Sequence, residues 1–127
     1  MSIRLNHTIV HVHDKHASAQ FLAGILGLDP PTTYGPFVVV QVANDVSLDF
    51  ADDHSPGGFQ GQHYAFLVDE EEFDQIHGRI IERGLDYWAD PFHREPQQVN
   101  RNDGGRGLYW EDPNGHNLEI ITVPYGG

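Results

Sequence analysis

Asn6-His7-Thr8-Ile9-Val10-His11-Val12 runs into a helix start at Asp14, and Gln62-His63-Tyr64-Ala65-Phe66-Leu67-Val68 runs into another at Asp69. His7 and His63 thus hold the same place in two copies of one strand–helix unit. Each copy ends its helix alike, with Leu26-Gly27-Leu28-Asp29 in the first and Arg83-Gly84-Leu85-Asp86 in the second. The correspondence returns further on, where Asn44-Asp45-Val46-Ser47-Leu48-Asp49-Phe50 matches Asn114-Gly115-His116-Asn117-Leu118-Glu119-Ile120. Asp49 therefore mirrors Glu119. A duplicated module carrying one imidazole and one carboxylate per copy is a plan for a metal site between the modules.

Working outward, residues 3–12 alternate as a strand, with Leu5, His7, Ile9 and His11 on one face and Asn6, Thr8, Val10 and Val12 on the other. Asp14 is the expected N-cap of a helix over about 15–26, with Phe21, Leu22, Ile25 and Leu26 as its apolar stripe and Gly27 as its left-handed stop. Phe37–Val42 and Val46–Phe50 read as a hairpin around the Asn44-Asp45 turn. His54-Ser55-Pro56-Gly57-Gly58 reads as a linker. The cycle restarts with a strand at 62–68 and a helix at about 70–83, capped by Asp69 and Glu72 at capping-box spacing. Phe73, Ile76, Ile80 and Ile81 are its expected buried stripe. Short strands are expected near Asp86–Ala89, Gly107–Glu111 and Asn117–Val123, the last two joined by the Asp112-Pro113-Asn114-Gly115 turn. Each half reads as strand, helix, then two or three strands. The polar stretch from Pro91 to Gly105 lacks periodicity and reads as a lid or rim.

The 127 residues suit one domain, with a first module at about 1–55 and a second at about 60–127. Nineteen acids against seven Lys and Arg give a net charge of -12, which argues against a nucleic-acid or anionic-membrane partner. Cysteine is absent, excluding disulfides, thiolate metal sites and a cysteine nucleophile. That absence, and the lack of a signal-like apolar segment at the start, fit a cytoplasmic protein. No apolar run approaches the ~20 residues that span a bilayer.

Strands present side chains on alternate sides, so Ser47 and Asp49 oppose Val46, Leu48 and Phe50, while Asn117 and Glu119 oppose Leu118 and Ile120. The apolar faces should pack on the helices and leave both carboxylates on the open side. A carboxylate among core residues costs free energy unless it is paired, solvated or metal-bound. Two histidines with one or two carboxylates suit Fe(II), Mn(II), Ni(II), Co(II) or Zn(II). The expected ligands are His7, His63 and Glu119, with Asp49 as a fourth ligand or a base. A lone strand histidine is ordinarily a satisfied or surface residue, and what shifts the weighing is the matched set. His11, His13 and His16 are expected at the rim or in solvent. Arg106, beside the final hairpin, is the arginine placed to hold an anionic substrate. Tyr109 is core or cavity wall, and as wall it would contact substrate. Neither a Gly-x-Ser-x-Gly elbow nor a phosphate-binding Gly-Lys-Ser/Thr loop is present.

The segment Gly107-Leu108-Tyr109-Trp110-Glu111-Asp112-Pro113-Asn114-Gly115-His116-Asn117-Leu118-Glu119-Ile120 resembles the terminal signature of the vicinal-oxygen-chelate superfamily. This superfamily includes glyoxalases, bleomycin-resistance proteins, fosfomycin-resistance thiol transferases and extradiol dioxygenases. Leu5-Asn6-His7 and Gln62-His63 resemble the openings of its two modules. The resemblance implies an α+β fold of two paired βαβββ modules forming a cup-shaped sheet around one divalent metal, commonly in a homodimer. It implies a small oxygen-rich substrate that chelates the metal through two vicinal oxygens. His7, His63 and Glu119 alone match the dioxygenase and thiol-transferase pattern. Adding Asp49 resembles the glyoxalase and epimerase pattern, in which a metal-bound carboxylate also moves a proton, although Asp departs from the glyoxalase habit of Glu. Arg106 resembles an anion-binding position of fosfomycin-resistance proteins, but their potassium loop is not recognisable in residues 100–105. A metal-dependent enzyme with dioxygenase or lyase/isomerase chemistry is the leading expectation. The alternative is an antibiotic-resistance protein, either a fosfomycin-type thiol transferase or a bleomycin-type drug binder. The joint presence of His7, His63 and Glu119 favours an enzyme over a binder.

Overall fold

A computed structural model describes residues 2–125; Met1 and Gly126-Gly127, the ends of the expected domain, lie outside the described residues. The chain divides into two units, residues 1–60 and 61–127. Together they make a mixed α+β fold, with a four-stranded sheet in the first unit and a three-stranded sheet in the second.

In the first unit β1 (His7–Val12) leads into α1 (Lys15–Leu26), followed by β2 (Thr32–Tyr34), β3 (Phe37–Gln41) and β4 (Ser47–Asp52). The sheet order is β1-β4-β3-β2, with β4 parallel to β1 and antiparallel to β3. Asp14 caps α1 by accepting the backbone N–H groups of His16 and Ala17, and Gly27 closes it at φ 71°. The expected face of β1 holds, since Val10 and Val12 are buried while His7, Ile9 and His11 are exposed. The stripe of α1 is rotated from the expected one. Ser18, Ala19, Leu22, Ala23 and Ile25 are buried against β3 and β4, while Phe21 and Leu26 are only partly covered. Small side chains let the helix approach the sheet closely, and an apolarity count undervalues them. Asn44 and Asp45 both take positive φ, 64° and 58°, as a tight hairpin turn requires.

In the second unit β5 (His63–Leu67) leads into α2 (Glu70–Glu82), then β6 (Gly107–Glu111) and β7 (Asn117–Ile121). The order is β5-β7-β6, with β5 parallel and β6 antiparallel to β7. The expected capping box forms reciprocally between Asp69 and Glu72. Phe73, Ile76 and Ile80 are buried, but Ile81 is 55% exposed and does not belong to the stripe. The expected strand near Asp86–Ala89 is reduced to isolated bridges of Trp88 with Tyr109 and Pro96. Trp88 exchanges both backbone bonds with Tyr109, and beyond Ala89 the Asp90 carboxylate turns the chain. This carboxylate accepts N–H bonds from Phe92, Arg94 and Glu95, offering the backbone an alternative to a ladder. The stretch expected to be a lid or rim is bound down, by Gln97 N–H on Tyr87 O, Asn100 Nδ2 on Ala89 O, and a parallel stack of His93 on Trp88.

No helix among the described residues is long and apolar enough to cross a membrane.

Candidate metal centre

Strand pairing reproduces the sequence repeat residue by residue. His7 lies opposite Ser47 and Ile9 opposite Asp49 in the first sheet, as His63 lies opposite Asn117 and Ala65 opposite Glu119 in the second. On the other side of each carboxylate strand, Val39 faces Asp49 and Tyr109 faces Glu119. Each histidine therefore stands one strand over and two residues back from its carboxylate.

Both imidazoles are held by the same nitrogen. His7 Nδ1 lies 2.7 Å from Asn6 Oδ1, and His63 Nδ1 lies 2.8 Å from the Asn117 carbonyl. Each partner oxygen can only accept, so Nδ1 carries a proton in both rings and Nε2 is the nitrogen turned to any further partner. This outer hydrogen bond is the usual way a metal-ligating histidine is oriented.

His63 Nε2 then meets a further acceptor, Glu119 Oε1, at 3.1 Å. Two lone pairs at that distance are stable only with a proton or a metal cation between or beside them. Glu119 is 1% exposed, so little water is available to moderate the conflict. Its other oxygen accepts the hydroxyl of Tyr125, which in turn lies 3.0 Å from the Tyr109 hydroxyl. Burial, followed by the bonds to Tyr125 and Glu119, pushes the Tyr109 phenol well above its ordinary range. Burial and then the bond to Glu119 push Tyr125 up in the same direction. Both phenols therefore stay protonated and act as donors at neutral pH. The Tyr109 ring also stacks beside His63, with centroids 6.0 Å apart.

Within the first unit, His7 and Asp49 line an open pocket of about 420 Å³ together with Ser47, Thr33, Tyr34 and Phe37. Asp49 Oδ1 accepts the Ser47 hydroxyl at 2.8 Å. The pocket has polar groups at the strand end and aromatic walls, the usual make-up of a small-molecule site. Among the described residues, no group of three His, Asp or Glu side chains is gathered as a metal would require.

Arg106 has a different setting from the one expected. Its Nε lies 2.8 Å from Glu70 Oε2 and its Nη2 2.9 Å from Asp74 Oδ1, while the guanidinium stacks over Phe73 at 4.3 Å. A substrate anion would have to displace two carboxylates of α2. His11 stands in solvent with Asp53 at 3.1 Å, and His13 lies against Phe59; both fit the expected rim. Sequence reasoning missed Tyr125, which stands outside both repeats, and His116, whose Nδ1 accepts the Gln62 N–H from a site only 1% exposed. The position of His116 in the Asp-Pro-Asn-Gly-His turn was the one available signal for it.

Residues 4–120 match the Glyoxalase/Bleomycin resistance protein/Dioxygenase superfamily, and the chain belongs to that superfamily. Among solved structures it is similar to oxidase ChaP-H1, with 64% identity, 99% of this chain and 100% of that chain covered, and a TM-score of 0.95. It is 28% identical over 120 residues to glutathione transferase FosA of Serratia marcescens, covering 91% of this chain and 78% of that protein. It is 35% identical over 60 residues to metallothiol transferase FosB of Shouchella clausii (strain KSM-K16), covering 47% of this chain and 37% of that protein.

Proposed function

We propose that the protein is a metal-dependent oxidase or dioxygenase in which His7, His63 and Glu119 hold one divalent cation. The observation that carries this reading is the matched pair of imidazoles. Each has Nδ1 fixed on a carbonyl oxygen, which leaves Nε2 as the nitrogen placed to meet a cation, and one Nε2 already lies against a buried carboxylate. This donor set fits Fe(II), Mn(II), Co(II), Ni(II) or Zn(II). Similarity to an oxidase along the whole chain favours oxygen chemistry, hence Fe(II), over the other reactions of the superfamily. When bound, Fe(II) supplies Lewis acidity toward two substrate oxygens and electrons for dioxygen.

The protein's own groups do the rest. Asn6 and the Asn117 carbonyl fix the two tautomers. The pocket beside His7 receives a small substrate bearing vicinal oxygens, its body against Tyr34 and Phe37. Asp49 faces that pocket and takes the proton of a substrate hydroxyl as a general base. Its arm is one methylene shorter than that of Glu119, and Ser47 already holds one of its oxygens, so it serves as base rather than as fourth ligand. Tyr109 walls the buried carboxylate. With Asp49→Asn, metal content should stay near wild type while turnover falls by about 100-fold or more, the scale of general-base catalysis. Metal loss in Asp49→Asn equal to that in Glu119→Gln would make Asp49 a ligand and overturn this assignment.

The second reading, a thiol transferase, is favoured by the similarity to FosA. One experiment separates the two. Fe(II)-loaded protein is mixed with a panel of vicinal diols and hydroxyketones in an oxygen electrode, and in parallel with fosfomycin and glutathione. Oxygen uptake coupled to loss of a diol supports the oxidase. Glutathione consumption without oxygen uptake replaces it by the transferase, and drug retention without turnover replaces both by a binder.

The working form is proposed to be a homodimer. β1 and β5 are edge strands in their own sheets, and Leu5 (68%), Ile9 (42%) and Leu67 (60%) leave apolar side chains exposed on or beside them. Such edges are commonly covered by a partner. Sedimentation should give about twice the 14.3 kDa chain mass, and a monomer at micromolar concentration would refute it.

A further inference from the structure

Both carboxylate oxygens of Glu119 are engaged on opposite sides. Oε1 lies toward His63 Nε2, and Oε2 accepts the Tyr125 hydroxyl. Resting on the reading of Glu119 as a metal ligand, we infer that Tyr125 is a positioning residue that restricts Glu119 to coordination through Oε1 alone. A coordination position is thereby kept for substrate or dioxygen.

A carboxylate can bind a cation through one oxygen or two, and the two-oxygen mode occupies an additional position. The choice depends on where the second oxygen is held. Here the Nε2 lone pair of His63 and Oε1 converge, while Oε2 is turned to a phenol. Hydrogen bonds to an ionised carboxylate are among the stronger ones. Tyr125 is itself fixed from behind by the Tyr109 hydroxyl at 3.0 Å, and Tyr109 is 5% exposed on β6 directly opposite Glu119. A rigid buried phenol thus backs a second phenol, which backs the ligand. The first half of the repeat has a different device, because Asp49 is held by Ser47 of its own strand. The tyrosine pair has no equivalent beside Asp49, where Val39 stands in the place of Tyr109. Tyr125 is 55% exposed, so removing its hydroxyl opens no cavity.

The test titrates wild type, Tyr125→Phe and Glu119→Gln with Co(II). Affinity is read by competition with a chelating dye, coordination number by the visible absorbance of the bound ion, and folding by circular dichroism. Tyr125→Phe should bind Co(II) within about tenfold of wild type, the low end of what outer contacts cost. Its visible absorbance should fall as the freed second oxygen raises the coordination number. Glu119→Gln should lose affinity. An unchanged absorbance in Tyr125→Phe, with affinity lost in Glu119→Gln, overturns the inference and leaves the metal site standing. A loss in Tyr125→Phe as deep as that in Glu119→Gln also overturns it, because Tyr125 would then be needed to hold the ion at all. Absent Co(II) binding in wild type, or full affinity in Glu119→Gln, removes the metal site and the inference together.

Discussion

Glu119→Gln should lower divalent-metal affinity by at least about 100-fold, the upper end of what loss of an outer contact alone costs. The substitution keeps the shape of the side chain. Its amide oxygen still accepts the Tyr125 hydroxyl, and its N–H₂ gives His63 Nε2 the donor that the carboxylate cannot. The metal-free protein should therefore be as stable as wild type, or slightly more so. What disappears is the negative charge and the second lone-pair donor at the place where His63 points. Calorimetric titration with Fe(II) or Mn(II) under anaerobic conditions measures the effect, and thermal unfolding without metal checks the fold. Wild-type affinity in the variant would show that the ligand is elsewhere.

Phe73→Ala should destabilise the protein by roughly 3–5 kcal/mol, the usual cost of truncating a fully buried aromatic ring. Phe73 is 0% exposed and lies at the start of the buried stripe it shares with Ile76 and Ile80. Its ring also supports the Arg106 guanidinium at 4.3 Å, which ties β6 to Glu70 and Asp74. Truncation removes the packing and leaves that ion-paired arginine over a void. The partly exposed ion pairs contribute little themselves, so the loss comes from the ring. Urea unfolding with an unchanged slope should report it, and a cost below about 1.5 kcal/mol, the scale of a conservative core change, would contradict the packing described. Metal affinity of the folded fraction should not change, because none of these groups touches His63 or Glu119 in the contacts above.

The register of the site was legible because strands alternate and the two halves repeat. Once His7 and His63 were aligned, the positions of Asp49 and Glu119 followed from a period of two, and strand pairing bears that relation out. The superfamily signature lay in the same residues. Segments shaped by local side chains are less legible. Asp90 takes the N–H groups of Phe92, Arg94 and Glu95 and so turns the chain just beyond the segment expected as a strand. In α1 the buried face includes Ser18, Ala19 and Ala23 beside Leu22 and Ile25, and such small side chains carry little weight in a periodicity argument. Arg106 was legible as a cation but not by its partners, because Glu70 and Asp74 come to it across 36 and 32 positions of chain. Tyr125 carried no signal. It has no counterpart in the first half and no motif around it, and its link to Glu119 exists only in three dimensions.

The most direct test of the central claim is the metal content of the protein purified without chelators and reconstituted anaerobically with Fe(II), measured by mass spectrometry. Coordination by His7, His63 and Glu119, all deprotonated when they bind, predicts roughly one equivalent per chain. That equivalent should be lost in His7→Ala, His63→Ala and Glu119→Gln alike. A wild-type protein that retains no metal, or three variants that keep theirs, would contradict the account.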